Sequence, residues 1–95
     1  MGNKVHFTLL EATLYNGEKI KLTKKEAMLL RLLIENKHTI ITRERILQSV
    51  WGYNVFPNTR TIDNFILNFR KYFELDPKSP LHFISIRGVG YKFQD

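Results

Sequence analysis

The chain has 95 residues, no cysteine, 15 Lys+Arg against 9 Asp+Glu, and a formal net charge of +6. A single domain spanning 1–95 is the expectation, with no disulfide, thiol nucleophile or cysteine-based metal site. The hydrophobic fraction of 43% is enough for a small packed core and argues against a wholly disordered chain, while the basic balance favours an anionic partner such as nucleic acid.

No apolar run approaches the roughly 18 residues needed to cross a bilayer. The opening MGNKVHF lacks the shape of a signal peptide. Both point to a soluble cytoplasmic domain without a membrane partner, and Met1–Asn3 read as additions ahead of it. Residues 4–22 form the first predicted unit. VHFTLLEATLYNGEKIKLT is rich in β-branched and aromatic residues, and Asn16-Gly17 is a hairpin signal. Three or four short antiparallel strands are expected up to Leu22.

Residues 23–76 carry three predicted helices. Thr23 and Glu26 form a T-x-x-E capping box ahead of an apolar run, which predicts a helix over about 24–35. Its core face is Ala27, Leu30, Leu33 and Ile34, widened by Met28, Leu29 and Leu32. Thr42 is placed to cap a second helix, whose Ile46, Leu47, Val50 and Trp51 share a face and which Gly52 ends. A loop containing Pro57 follows. TRTIDNFILNFRKYF, residues 59–73, then places Ile62, Phe65, Ile66, Phe69 and Phe73 on one side of a third helix. DPKSP is a turn. In residues 82–94, the alternation of Phe83 to Arg87 and of Tyr91 to Phe93 about RGVG predicts a β-hairpin with a basic tip.

The outer side of the third helix carries Arg60, Asn64, Leu67, Asn68 and Lys71. A merely solvated face is the ordinary meaning of such a pattern, and three features argue against it. Asn64 and Asn68 are mediocre helix formers, yet they sit one turn apart where each amide can donate and accept in a bidentate contact with adenine N6 and N7. Arg60, in the first turn, opposes the helix dipole and is better explained by an outside anion, with backbone N–H groups near Thr61 adding to that site. Arg87 sits at the hairpin tip, suited to a narrow minor groove.

Other chemistry finds little support. His6, His38 and His82 lack metal-type spacing. RGVG lacks the phosphate-loop pattern, and neither a nucleophile elbow nor a catalytic carboxylate pair is present. The expectation is therefore no enzyme, no metal and no cofactor. Asp63 and Arg70, seven residues apart, flank the apolar face and suggest an internal ion pair rather than base contacts.

In order and spacing, LTKKEAMLLRLL, TRERILQSVWG, TRTIDNFILNFRK and SIRGVGYKF resemble the effector domain of OmpR/PhoB-type response regulators, from Phe7 to Phe93. The resemblance implies an α+β winged helix-turn-helix with a four-stranded N-terminal antiparallel sheet, a three-helix core and a C-terminal β-hairpin wing. It implies sequence-specific binding of double-stranded DNA, usually as direct repeats, under an upstream phosphorylated receiver domain and its sensor kinase. Asn64 and Asn68 fall where bases are read, with Leu67 beside them against a thymine methyl or a protein. Arg60 and Thr61 match further DNA-facing positions, and Lys71 joins the backbone contacts from its place on the helix. Arg43 and Trp51 match phosphate-touching positions of the second helix, Ser85 and Tyr91 wing positions near the backbone, and Arg87 the minor-groove arginine. For Tyr91, core packing ranks ahead of DNA. The loop 52–58 matches a segment that meets RNA polymerase in several members. Two positions depart from the pattern: Asn68 stands where arginine or lysine is common, and Leu67 is apolar where polar residues are usual. The expected state is a monomer off DNA that pairs on it. The alternatives are a winged-helix module for protein partners, supported by Leu67 and the YNVFP loop, or the DNA-binding domain of a membrane-anchored regulator.

Overall fold

The computed structural model of this protein describes residues 2–52 and 59–95. The loop proposed to meet RNA polymerase lies, beyond Gly52, outside those residues.

Strands β1 (Lys4–His6), β2 (Glu11–Thr13) and β3 (Lys19–Lys21) form an antiparallel sheet in that order. Its register pairs Val5 with Ala12 and Ala12 with Ile20, which puts the small and branched residues on the core side and Lys19 and Lys21 outside. The sheet has three strands where the resemblance implies four. Phe7–Leu9 coil into a single 3-10 turn closed by left-handed Leu10 (φ 52°), and this turn reverses the chain into β2. At the Asn16-Gly17 reversal only Gly17 takes positive φ (86°), while the Asn16 side chain accepts from the Glu18 N–H at 3.0 Å. Asn3, read from the sequence as an addition, is bonded into the fold. Its amide donates to the Phe73 carbonyl (3.1 Å), and its side-chain oxygen accepts from the Tyr15 N–H (2.9 Å).

Helix α1 (Lys24–Glu35) starts at the expected capping box, with Thr23 N–H on Glu26 Oε1 at 2.8 Å and Glu26 N–H on Thr23 Oγ1 at 3.2 Å. Leu29, Leu30 and Leu33 are fully buried, whereas Met28 turns outward. Thr42 caps α2 (Arg43–Ile46) by accepting from Arg45 N–H. This helix runs straight into a π-helical turn (Leu47–Trp51), a departure from the plain helix expected, which Gly52 closes by donating to the Leu47 carbonyl at 3.0 Å. Lys25 of α1 reaches the Val50 carbonyl at that helix end, at 2.7 Å.

Helix α3 (Thr59–Phe73) buries Ile62, Ile66, Phe69 and Phe73, the 3–4 spacing visible in the sequence. Phe69 is fully buried and touches the ring of Phe83, centroids 5.6 Å apart. A side chain of that size is worth several kcal/mol to the fold, roughly 3–5 kcal/mol by comparison with truncation of other core aromatics.

The second sheet has the order β4 (Ile41–Thr42), β6 (Gly90–Phe93), β5 (Phe83–Ile86). The short β4 was not read from the sequence. It pairs Ile41 with Tyr91 and Thr42 with Gly90. Glycine is required there: a Cβ on Gly90 would overlap the Ile41 carbonyl oxygen and lie 2.9 Å from Thr42 Cα. Between α3 and β5 stands Glu74, buried at 4% exposure. Its carboxylate accepts from the N–H groups of Leu81 (3.1 Å), His82 (2.8 Å) and Phe83 (2.9 Å).

Candidate nucleic-acid interface

At 100° per residue, four flanks of α3 can be told apart. Ile62, Ile66, Phe69 and Phe73 face the core. Phe65, on one flank, stacks on Trp51 with centroids 5.4 Å apart. Asp63 and Arg70 define the opposite flank, which faces the wing, and Glu74 follows in line just past the helix end. Between these two lies the outer ridge, with Arg60, Asn64, Asn68 and Lys71 all exposed. Leu67, 58% exposed, sits between the ridge and the wing flank. Thr61 is half-buried at the ridge's edge. Among the described residues, the side chains of Asn64, Asn68, Lys71 and Arg87 bond to no protein group, so their donors and acceptors are available to a ligand.

The wing is anchored beside this ridge. Arg70 donates from Nε and Nη2 to the Phe83 carbonyl (3.0 and 2.8 Å) and from Nη2 to Ser85 Oγ (2.8 Å). Two residues on from Ser85, Arg87 opens the turn to β6. Gly88 takes positive φ (76°) there, and Val89 N–H closes on the Ile86 carbonyl at 3.0 Å. Arg87 is exposed, and Val89 is 44% exposed beside it.

Arg43 and Tyr91 both have partners inside the fold. Arg43 does meet an anion, but the anion belongs to the fold: its Nε and Nη2 both lie 3.3 Å from Asp63 Oδ1. Its guanidinium also stands over the Tyr91 ring, 5.0 Å from the centroid. Tyr91 is a core residue, 5% exposed, whose hydroxyl donates to the same Asp63 oxygen. Three elements thus meet at one carboxylate: the first turn of α2, the second turn of α3, and β6. The expected ion pair of Asp63 forms with α2, whereas Arg70 goes to β5 instead. Burial works against the Arg43 charge, but Tyr91 and Asp63 together outweigh it and hold its pKa above the ordinary value. For Tyr91, burial first and then the bond to Asp63 push the phenol upward.

A pH dependence follows with a definite sign. Since the folded phenol titrates above the unfolded one, its contribution is fully present below about pH 10 and is lost as pH rises through the folded value. Tyr91→Phe is expected to lower stability by about 1 kcal/mol at neutral pH and to flatten the alkaline decline of the melting temperature. Parallel alkaline declines in the two proteins would show that Tyr91 is not its source.

Trp51 is half-buried between Phe65 and the Lys25 ammonium, which lies 5.9 Å from its ring centroid. Ser85 is exposed, with its hydroxyl on Arg70. Sequence reasoning missed Glu74 and Lys25, whose partners are backbone groups with no signature of their own. Among the described residues, no group of three or more His, Cys, Asp or Glu side chains gathers as a metal site, and no helix is long and apolar enough to cross a membrane.

Comparison with known proteins accords with this geometry. The family model described as "Transcriptional regulatory protein, C terminal" matches residues 17–93. Sensory transduction protein RegX3 of Mycolicibacterium smegmatis is 38% identical over 79 residues, which cover 83% of this chain and 35% of that protein. The chain thus spans about a third of the length of the curated relatives it matches. Among solved structures, the DNA-binding domain of Bacillus subtilis CssR superposes with a TM-score of 0.80 at 33% identity, covering 96% of this chain and 98% of that one. Response regulator DrrB of Thermotoga maritima, an OmpR/PhoB homologue, gives 0.84 at 34% identity, over all of this chain and 42% of its own. The chain belongs to this family of transcriptional regulatory C-terminal domains, the winged-helix DNA-binding effector domains of OmpR/PhoB-type response regulators.

Proposed function

We propose that α3 enters the major groove of double-stranded DNA while Arg87 of the wing enters the adjacent minor groove. The observation that supports this is the exposed, unpartnered ridge of Asn64 and Asn68 beside a hairpin tied to the same helix. Asn64, Asn68 and Leu67 read base edges, the asparagines as adenine-type contacts and Leu67 against a thymine methyl. Arg60, Thr61 and Lys71 meet the sugar-phosphate backbone, joined by Trp51 through its indole N–H and by Ser85 at the wing. Arg43 and Tyr91 act mainly through Asp63, setting the angle at which these groups are presented.

The wider reading is that the chain forms the effector part of a longer cytoplasmic two-component regulator, behind a receiver domain phosphorylated by a sensor kinase. Single copies pair on tandem half-sites about 10–10.5 base pairs apart, one helical turn. RNA polymerase is the further partner proposed for the loop after Trp51.

The two DNA-reading elements predict different mutant behaviour. Asn64→Ala is expected to lose about 1–3 kcal/mol of discrimination at one base position. Arg87→Ala is expected to weaken binding to all sequences alike and to reduce the salt slope by about one. Gel-shift titrations on genomic fragments over a range of salt measure both. Binding of every fragment no better than bulk DNA would instead favour a protein-binding module, for which Leu67 at 58% exposure is the anchor.

A further inference from the structure

Resting on that reading, we propose that Arg70 and Glu74 are positioning residues that set the distance between the major-groove helix and the minor-groove wing. In the order β4-β6-β5, strand β5 has a neighbour on one side. An open strand edge presents N–H and C=O groups to any partner. Here α3 supplies that partner with side chains. Glu74 takes the Phe83 N–H and Arg70 the Phe83 carbonyl, so both main-chain polar groups of that residue are satisfied as another strand would satisfy them.

Glu74, the residue after α3, donates its N–H to the Arg70 carbonyl (3.0 Å), so it continues the helical path and lies in line with Arg70. Asp63 lies on the same flank and holds the other wing strand through Tyr91. The hairpin is therefore fastened at two heights of one helix flank, β6 by Asp63 and β5 by Arg70 with Glu74. Arg70 also bonds Ser85, two residues before Arg87, which brings this fastening close to the wing tip. A guanidinium is planar with forked donors, so it fixes an angle as well as a distance. Asn64 and Asn68 stand on the adjoining ridge of the same rigid helix. Any slack at Arg70 thus moves the Arg87 tip relative to the asparagines, and the two grooves are no longer met together.

The consequence is coupling. If Arg70 acts by placing the wing, its removal matters only while Arg87 is present to be placed. The test uses the 95-residue chain and the tightest-binding duplex selected from a random-sequence pool. Arg70→Gln, Arg70→Lys, Arg87→Ala and the double variants with Arg87→Ala are titrated at one salt concentration. Each is held at a temperature where circular dichroism shows it folded. Arg87→Ala is expected to weaken binding roughly tenfold, as loss of a charged contact does. Arg70→Gln is expected to weaken the wild-type background by a similar factor, yet by less than about twofold in the Arg87→Ala background. Equal losses in both backgrounds overturn the proposal, since Arg70 would then act independently of the wing. Should Arg70→Gln fail to fold, Arg70→Lys, which keeps the charge but loses the forked donors, carries the same cycle: a loss confined to the background with Arg87 supports the proposal, and equal losses overturn it. If Arg87→Ala alone leaves binding unchanged, the wing reading itself fails, and that single variant shows the failure to lie there.

Discussion

Gly90→Ala is expected to cost at least about 4 kcal/mol, enough to unfold most small domains. The reason is not backbone freedom. The added methyl would overlap the Ile41 carbonyl oxygen and stand 2.9 Å from Thr42 Cα, both main-chain atoms of β4. A flexible side chain could move aside, but a paired strand cannot without breaking its ladder. Separating β4 from β6 would also uncover Ile41 and Tyr91, both buried and directly opposite each other. By contrast, a Cβ at Gly88 meets nothing within 4 Å, so Gly88→Ala is opposed only by its positive φ of 76° and should cost nearer 1 kcal/mol. Urea denaturation of the two variants makes the comparison direct. Similar midpoints would mean that the β4–β6 approach is looser than described.

Glu74→Ala carries the second large effect, on the order of 3–5 kcal/mol. Three N–H groups at the start of the wing lose their common acceptor, and each buried donor left unpaired costs about 1–3 kcal/mol. Water reaching the more exposed Leu81 recovers part of that. Glu74→Gln is expected to be almost as harmful, because its amide keeps one acceptor oxygen but turns two N–H donors toward other donors. Two acceptor oxygens are what the geometry requires, one for Leu81 and one for His82 and Phe83. Denaturation midpoints decide this. A loss below about 1 kcal/mol in the alanine variant would show that solvent replaces the carboxylate freely.

Local patterns were legible in the sequence: Thr23 and Glu26 marked the start of α1, and the spacing of Ile62, Ile66, Phe69 and Phe73 marked α3 and its core face. The exposed ridge followed from the same periodicity, since knowing the buried side fixes the outer one. Non-local pairings were not legible. Strand β4 has two residues and exists because Gly90, 48 positions after Thr42, lets a backbone come close. Asp63, Arg43 and Tyr91 meet from three elements, so no spacing rule could join them. For Arg43 the sequence pointed to an anion, but the internal one, Asp63, lies 20 positions away on another helix. Glu74 passed unnoticed because a lone glutamate after a helix ordinarily faces water. The π turn before Gly52 was likewise hidden, as its apolar face reads as an ordinary helix.

Asn3 ties the beginning of the chain to the last carbonyl of α3. That carbonyl belongs to Phe73, nine residues beyond Asn64 and so about 14 Å farther along the helix axis. Polypeptide attached ahead of Gly2, whether a purification tag or a folded neighbour, consequently leaves the molecule beside the C-terminal end of α3. Bulk added there has more than two helical turns of clearance from Asn64.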